Sequence, residues 1–197
     1  EIGSGLVGSE MCIRDRYKDD NQVAIICGMN NYDIEKEVKE SYFFSKRGSI
    51  WGWASWRRFI DLWDGEYSWI DDEDKIRRIN EYCDHGLNFD TYYKGACRHR
   101  ESGREHYESI MFAAAALNNM LNIVPKYNMI SNIGIDKEST HSVADIRLVP
   151  RRNQKLMYKE TYEIDFPLVH PQKICRNVRY DEKYNISAFS RGIDMLE

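Results

Sequence analysis

From Glu105 to Leu121 the chain reads EHYESIMFAAAALNNML, and this run constrains the fold more than any other. Apart from Glu108 its centre is apolar on every side, so a helix built from it must be buried rather than half-exposed. The four consecutive alanines leave little side chain between the helix axis and its neighbours, which suits close approach to a sheet. A strand candidate stands upstream. QVAIICG, residues 22 to 28, is a β-rich apolar run closed by Gly28, the pattern of a strand buried on both faces.

The other segments follow the same logic. SYFFSKRGSIWGW, from Ser41 to Trp53, reads as a short strand, a glycine turn and the start of a helix. ASWRRFIDLWD puts Trp56, Phe59, Ile60 and Trp63 on one helical face. IDDEDKIRRINEYCDHG opens with acids and closes with Gly86, the signature of a helix start and stop. Asp72 and Asp74 formally match an Asp-x-Asp metal motif, but acids at a helix start need no metal to explain them. Residues 90 to 104 read as a polar loop, NIVPKYNMISNIG as two short extended segments about Pro125, and KLMYKETYEIDFPLVHP as extended. Residues 136 to 153 read as irregular, and the tail from Gln172 carries weak signals. Strands and helices mixed in this order predict an α/β domain.

The chain of 197 residues carries a formal charge of −4, and no basic excess of the kind nucleic acid would require. No apolar run is long enough for a transmembrane segment. Five cysteines without CxxC spacing fit reduced thiols. All five tryptophans fall between Trp51 and Trp69, which makes either a heavy local core or a platform for flat ligands such as sugars. In IWGWASWRR a glycine between two tryptophans would let backbone approach a ligand between flanking rings. Taken alone, core packing is the better account of Trp51, Trp53 and Trp56, with Arg57 and Arg58 as surface charges.

Glu108 lies beside apolar surface, where a carboxyl can serve as a general base. An acid in a first helical turn is also ordinary dipole stabilisation, and alone it needs no other account. NMISNIGIDKESTHS sets Asn128, Ser131, Asn132, Gly134, Thr140 and His141 after an apolar strand, a density of polar groups suited to a ligand-lining loop. No GxSxG, GxxxxGK[ST] or GxGxxG string occurs.

Taken in order, YKDDNQVAIICGMN, SYFFSKRGSIWGWASWRR, the helix of Glu108, NIVPKYNMISNIGIDKESTHS and FPLVHP resemble the C-terminal part of a bacterial family 2 glycosyltransferase. The resemblance is to the branch with WGWAxW and SNIG…THS segments, and it runs from Tyr17 to about Tyr184. It implies a partial GT-A-like, Rossmann-like domain over residues 17–197, lacking its N-terminal nucleotide-binding half. It further implies an inverting transferase that moves a sugar from a nucleotide-diphosphate donor to a hydroxyl of a glycan or other acceptor, in surface glycan synthesis. Such an enzyme would work in the cytoplasm or at the inner face of the membrane.

By that resemblance Glu108 matches the family's catalytic base, with Tyr107 where the family has Trp. Trp51, Gly52, Trp53, Ser131, Asn132 and Gly134 would bind substrate, and His141 would sit at the diphosphate or its divalent metal, Mg or Mn. The family's main acidic metal motif should lie upstream of QVAIICG. That place holds LVGSEMCIRDR, Leu6 to Arg16, which shows neither helical nor strand periodicity and looks like the conceptual translation of a transposon-end sequencing adaptor. Residues 1–16 are accordingly expected to be foreign to the natural gene, and the chain as written to turn over little or nothing. Two other classes compete: a non-catalytic carbohydrate-binding domain with a Trp platform, and a hydrolase using Glu108 with a second acid such as Asp90.

Overall fold

A computed structural model describes residues 4–84, 87–133, 147 and 154–193. Its centre is a four-stranded mixed sheet. Strands β1 (Val23–Cys27), β2 (Tyr42–Ser45), β3 (Trp53–Ser55) and β4 (Leu121–Pro125) lie in the order β2-β4-β1-β3. β1 and β4 are parallel, and the two outer strands run antiparallel to their neighbours. The expected α/β class is therefore present.

Both faces of the sheet are covered, which is why β1, β2 and β4 read as nearly unbroken apolar runs. On one face Ala24, Ile25, Phe43 and Val124 pack with Ala114 and Ala115 of helix α5 (Tyr107–Leu117). Alanines at this contact keep the helix close to the strands, as the sequence predicts. On the other face Val23, Ile26, Tyr42, Phe44 and Ile123 pack with Ile13 and Tyr17. Ala24 and Ile25 are successive residues on the same face because the β1–β4 register shifts between Val23 and Ile26.

A third core joins helices α3 (Glu73–Tyr82), α4 (Leu87–Ser102) and α5 around Trp69. Trp69 is fully buried, with its ring stacked on Tyr92 at 5.8 Å. α3 begins as expected. Asp72 is its N-cap and accepts from the Asp74 and Lys75 amides at 3.0 and 3.1 Å, a cap that contributes about 1 kcal/mol.

Four expectations are corrected. Residues 90 to 104 are mostly helix, since α4 runs to Ser102. The weakly patterned tail forms α6 (Val178–Ile193). ASWRRFIDLWD yields only one turn, α2 (Arg57–Ile60), followed by i→i+3 bonds from Leu62 and Trp63. Phe59, Ile60 and Trp63 share one core, but Trp56 packs with Ile13 and Tyr17 on the other side of the sheet, so the expected common face holds for three of the four residues. LVGSEMCIRDR falls within a helix, α1 (Ser4–Arg16), with Ser9 and Ile13 buried and the Arg14 carbonyl accepting from Trp56 Nε1 at 3.1 Å. Among the described residues no helix is long and apolar enough to cross a membrane.

Candidate functional site

The end of β2 leads into a loop that folds tightly onto the sheet. A Cβ on Gly48 would meet the Asn122 amide at 3.1 Å and Cys27 Sγ at 3.2 Å, so only glycine sits there without displacing a neighbour. Ser49 then donates its backbone N–H to Cys27 Sγ, and its Oγ accepts from the Trp51 amide at 3.3 Å. These contacts set the half-buried Trp51 ring against a cavity of about 580 Å³.

α5 supplies the facing wall. His106 is its N-cap, its carbonyl accepting from the Ser109 and Ile110 amides at 2.9 and 3.1 Å. Glu108, in the first turn, is exposed and lines the same cavity as Trp51, with Ser109, Met111 and Phe112 behind it. Tyr107 beside it lies over Trp63 at 6.0 Å, and Trp63 stacks on Trp53 at 6.2 Å. An aromatic ladder thus leads from the sheet to the start of α5.

The remaining anticipated site residues are divided. Gly52 and Trp53 line a second groove of about 330 Å³, bounded by Ile13 and Arg14 of α1. Gly52 has φ +58°, and a Cβ there would meet Ile130 side-chain atoms at 2.9 Å. Its glycine therefore serves a left-handed turn against Ile130 and not the approach of backbone to a ligand between two rings. Ser131 and Asn132 line neither cavity: Ser131 Oγ is buried without a partner among the described residues, and Asn132 bridges to Met157. Gly134, Thr140 and His141 lie outside the described residues. Asp90 is exposed in the first turn of α4 and does not line the cavity of Glu108, so among the described residues no second carboxylate faces Glu108 across it. Arg58 is no free surface charge. Its guanidinium donates to the Tyr17, Lys18 and Val23 carbonyls at 2.8 to 3.2 Å.

Asn128 organises the polar segment after β4. Its Oδ1 accepts from the Asn30 amide at 3.0 Å, and its Nδ2 donates to the Ile130 and Glu160 carbonyls at 2.8 and 2.7 Å. Asn30, also fully buried, donates to the Pro125 and Lys126 carbonyls. Buried amides with every visible polar atom engaged act as struts, and Asn128 is one.

The basic part of the cavity was not anticipated from the sequence: Lys46 and Arg47 after β2 and Arg98 of α4 carry its positive charge, with His99 beside them. Lys46 is neutralised by Asp84 at 2.8 Å. The Arg47 guanidinium lies over Phe112 and Tyr184, with one nitrogen donating to Asn185 Oδ1 at 2.6 Å. His99 stacks on His106 with centroids 3.7 Å apart. Burial lowers the His99 pKa, and the neighbouring His106 and Arg98 charges push it the same way. Cys27, which lines the second groove, is pushed up to about 12 by burial, so its thiol stays protonated at neutral pH.

Among the described residues no three His, Cys, Asp or Glu side chains come together as a bound metal would require. The metal implied by the resemblance therefore has no fitting donor set among them. No family model, curated protein or solved structure matches the chain.

Proposed function

We propose that the chain is the C-terminal, acceptor-side part of a GT-A-like family 2 glycosyltransferase, and that residues up to about Arg16 are adaptor-derived. The observation that supports this reading is the placement of Glu108 and Trp51 on one cavity of about 580 Å³, a volume ordinary for a small-molecule site. Trp51 offers an aromatic face to a sugar ring, and Glu108 offers a carboxylate that is not consumed by an ion pair among the described residues.

In the reaction, the Glu108 carboxylate takes the proton of an acceptor hydroxyl as that oxygen bonds to the anomeric carbon. The bond from that carbon to the donor's diphosphate breaks on the opposite face, so the configuration inverts and the nucleotide diphosphate departs with the electron pair. Protein dipoles around the departing group lower the barrier by electrostatic stabilisation.

The test is Glu108→Gln in a full-length copy of the gene, alongside the DNA upstream of the Tyr17 codon. Loss of the base should lower turnover about 10²–10⁴-fold with donor affinity retained. Turnover within a few-fold of the parent would end the assignment of Glu108. A carbohydrate-binding role without catalysis is the second reading, favoured by the Trp53–Trp63–Tyr107 ladder. The same variant separates the two, since sugar binding alone does not need the carboxylate as a base.

A further inference from the structure

Helix α4 turns one face to the cavity through Thr91, Gly95 and Arg98, at helical spacing. Gly95 stands mid-helix, where glycine costs about 1 kcal/mol relative to alanine. Its φ is not in the left-handed region, and a Cβ there would meet no atom within 4 Å. Neither backbone nor packing therefore asks for glycine. What the missing side chain leaves is room, and that room opens on the cavity.

Charge around this room is unbalanced. Among the described residues Glu108 is the one acid on the cavity wall, which also carries Lys46, Arg47 and Arg98. Lys46 has Asp84, but Arg47 and Arg98 make no ion pair with a described residue. Two guanidinium groups on one wall, without counter-ions among the described residues, suit an acceptor-only group, an oxyanion.

We propose that this cavity binds an oxyanion-bearing carbohydrate, its carboxylate or phosphate seated between Arg47, Arg98 and His99 in the space Gly95 leaves. The seat itself rests on the cavity alone; taking its occupant as the acceptor rests on Glu108 as the base. Acidic sugar is then the acceptor class, with the reacting hydroxyl toward Glu108 and the anion toward α4.

Titration of the folded chain with glucuronate, glucose 6-phosphate and neutral glucose, followed by calorimetry at low ionic strength, tests the seat. One or both anionic sugars should bind about tenfold tighter than glucose, as hydrogen bonds to a charged group allow, and their ranking tells carboxylate from phosphate. Arg98→Gln, at an exposed position, should remove about that tenfold preference, and Gly95→Leu should abolish binding by filling the room; neither should lower the melting temperature. Equal binding of all three sugars, or full anion preference in both variants, would overturn the proposal. Anion preference without Glu108-dependent transfer keeps the seat and drops the transferase reading. Transfer to neutral acceptors without anion preference does the reverse.

Discussion

Ser45 Oγ, at the end of β2, donates a 2.5 Å hydrogen bond to the Asp181 carboxylate in the first turn of α6. Asp181 is wholly buried, and its second oxygen accepts from Arg176 Nε at 2.5 Å and from the Lys46 amide at 3.2 Å. Arg176 also grips Asp84, which Lys46 reaches from the other side. The network ties the C-terminal segment to the strand whose loop carries Arg47 and Trp51 into the cavity.

Breaking it should be costly. Asp181→Ala leaves Arg176 half-paired and Ser45 without its acceptor, so unfolding in urea should show a loss of about 3–5 kcal/mol. Ser45→Ala removes the bond to the Asp181 carboxylate and the Oγ that accepts from the Arg47 amide at 2.8 Å, for about 1.5–3 kcal/mol. A change below 1 kcal/mol for Asp181→Ala, about what an exposed pair contributes, would mean the network does not hold α6 in solution.

Two glycines of the same backbone hand should respond differently. Gly52 has φ +58° and Ile130 at 2.9 Å, whereas Gly103 has φ +64° and open space. Gly103→Ala should cost about 1 kcal/mol from conformation alone. Gly52→Ala adds a clash, for about 2–4 kcal/mol in all, and Ile130→Val in the same chain should recover part of it. Equal costs at the two positions would show that Ile130 yields freely.

The sheet strands, α3 and α5 were legible because their signals are local and uniform. QVAIICG is buried on both faces, α3 has its acid cap, and α5 offers no polar face to misplace. α4 was not legible. Its inward residues Phe89, Tyr92, Tyr93, Ala96 and Cys97 do recur at helical spacing, but they alternate with lysine, arginine and a glycine that weaken the contrast. α6 hid for another reason, since its buried positions include Asp181 beside Tyr180, and a carboxylate satisfied by a distant Ser and Arg looks like surface in one dimension. Half the candidate site suffered the same fate. Glu108 and Trp51 stand out singly, whereas Arg47, Gly95, Arg98 and His99 acquire meaning only when α4 is laid against the β2 loop.

Thiol chemistry gives a check on the core. Cys27 and Cys83 are buried, and burial pushes their pKa up to about 12 and about 11. Both should stay unmodified when the native protein meets a thiol-specific disulfide reagent at pH 8, while the exposed Cys12 and Cys175 react rapidly. Peptide mapping after brief labelling distinguishes them. Modification of Cys27 as fast as Cys175 would mean that the sheet face under α5 is open.

Stability should also depend on pH through His99 and His170. Burial lowers both pKa values from 6.5, aided at His99 by His106 and Arg98 and at His170 by Arg16. Glu108 acts on His99 in the opposite sense but does not prevail. A histidine whose folded pKa is depressed binds fewer protons folded than unfolded, so its contribution is complete above pH 6.5 and is lost as pH falls through the folded value. Asp84 acts in a separate, more acidic window. Burial raises its pKa, but hydrogen bonds and charge from Arg176 and Lys46 more than reverse this, so its contribution is present above 3.8 and lost below. The melting temperature should therefore fall between pH 7 and pH 5, and His99→Gln should flatten that slope while leaving the loss below pH 4 intact. An unchanged slope in His99→Gln would place the stacked His99–His106 pair in water rather than against the cavity wall.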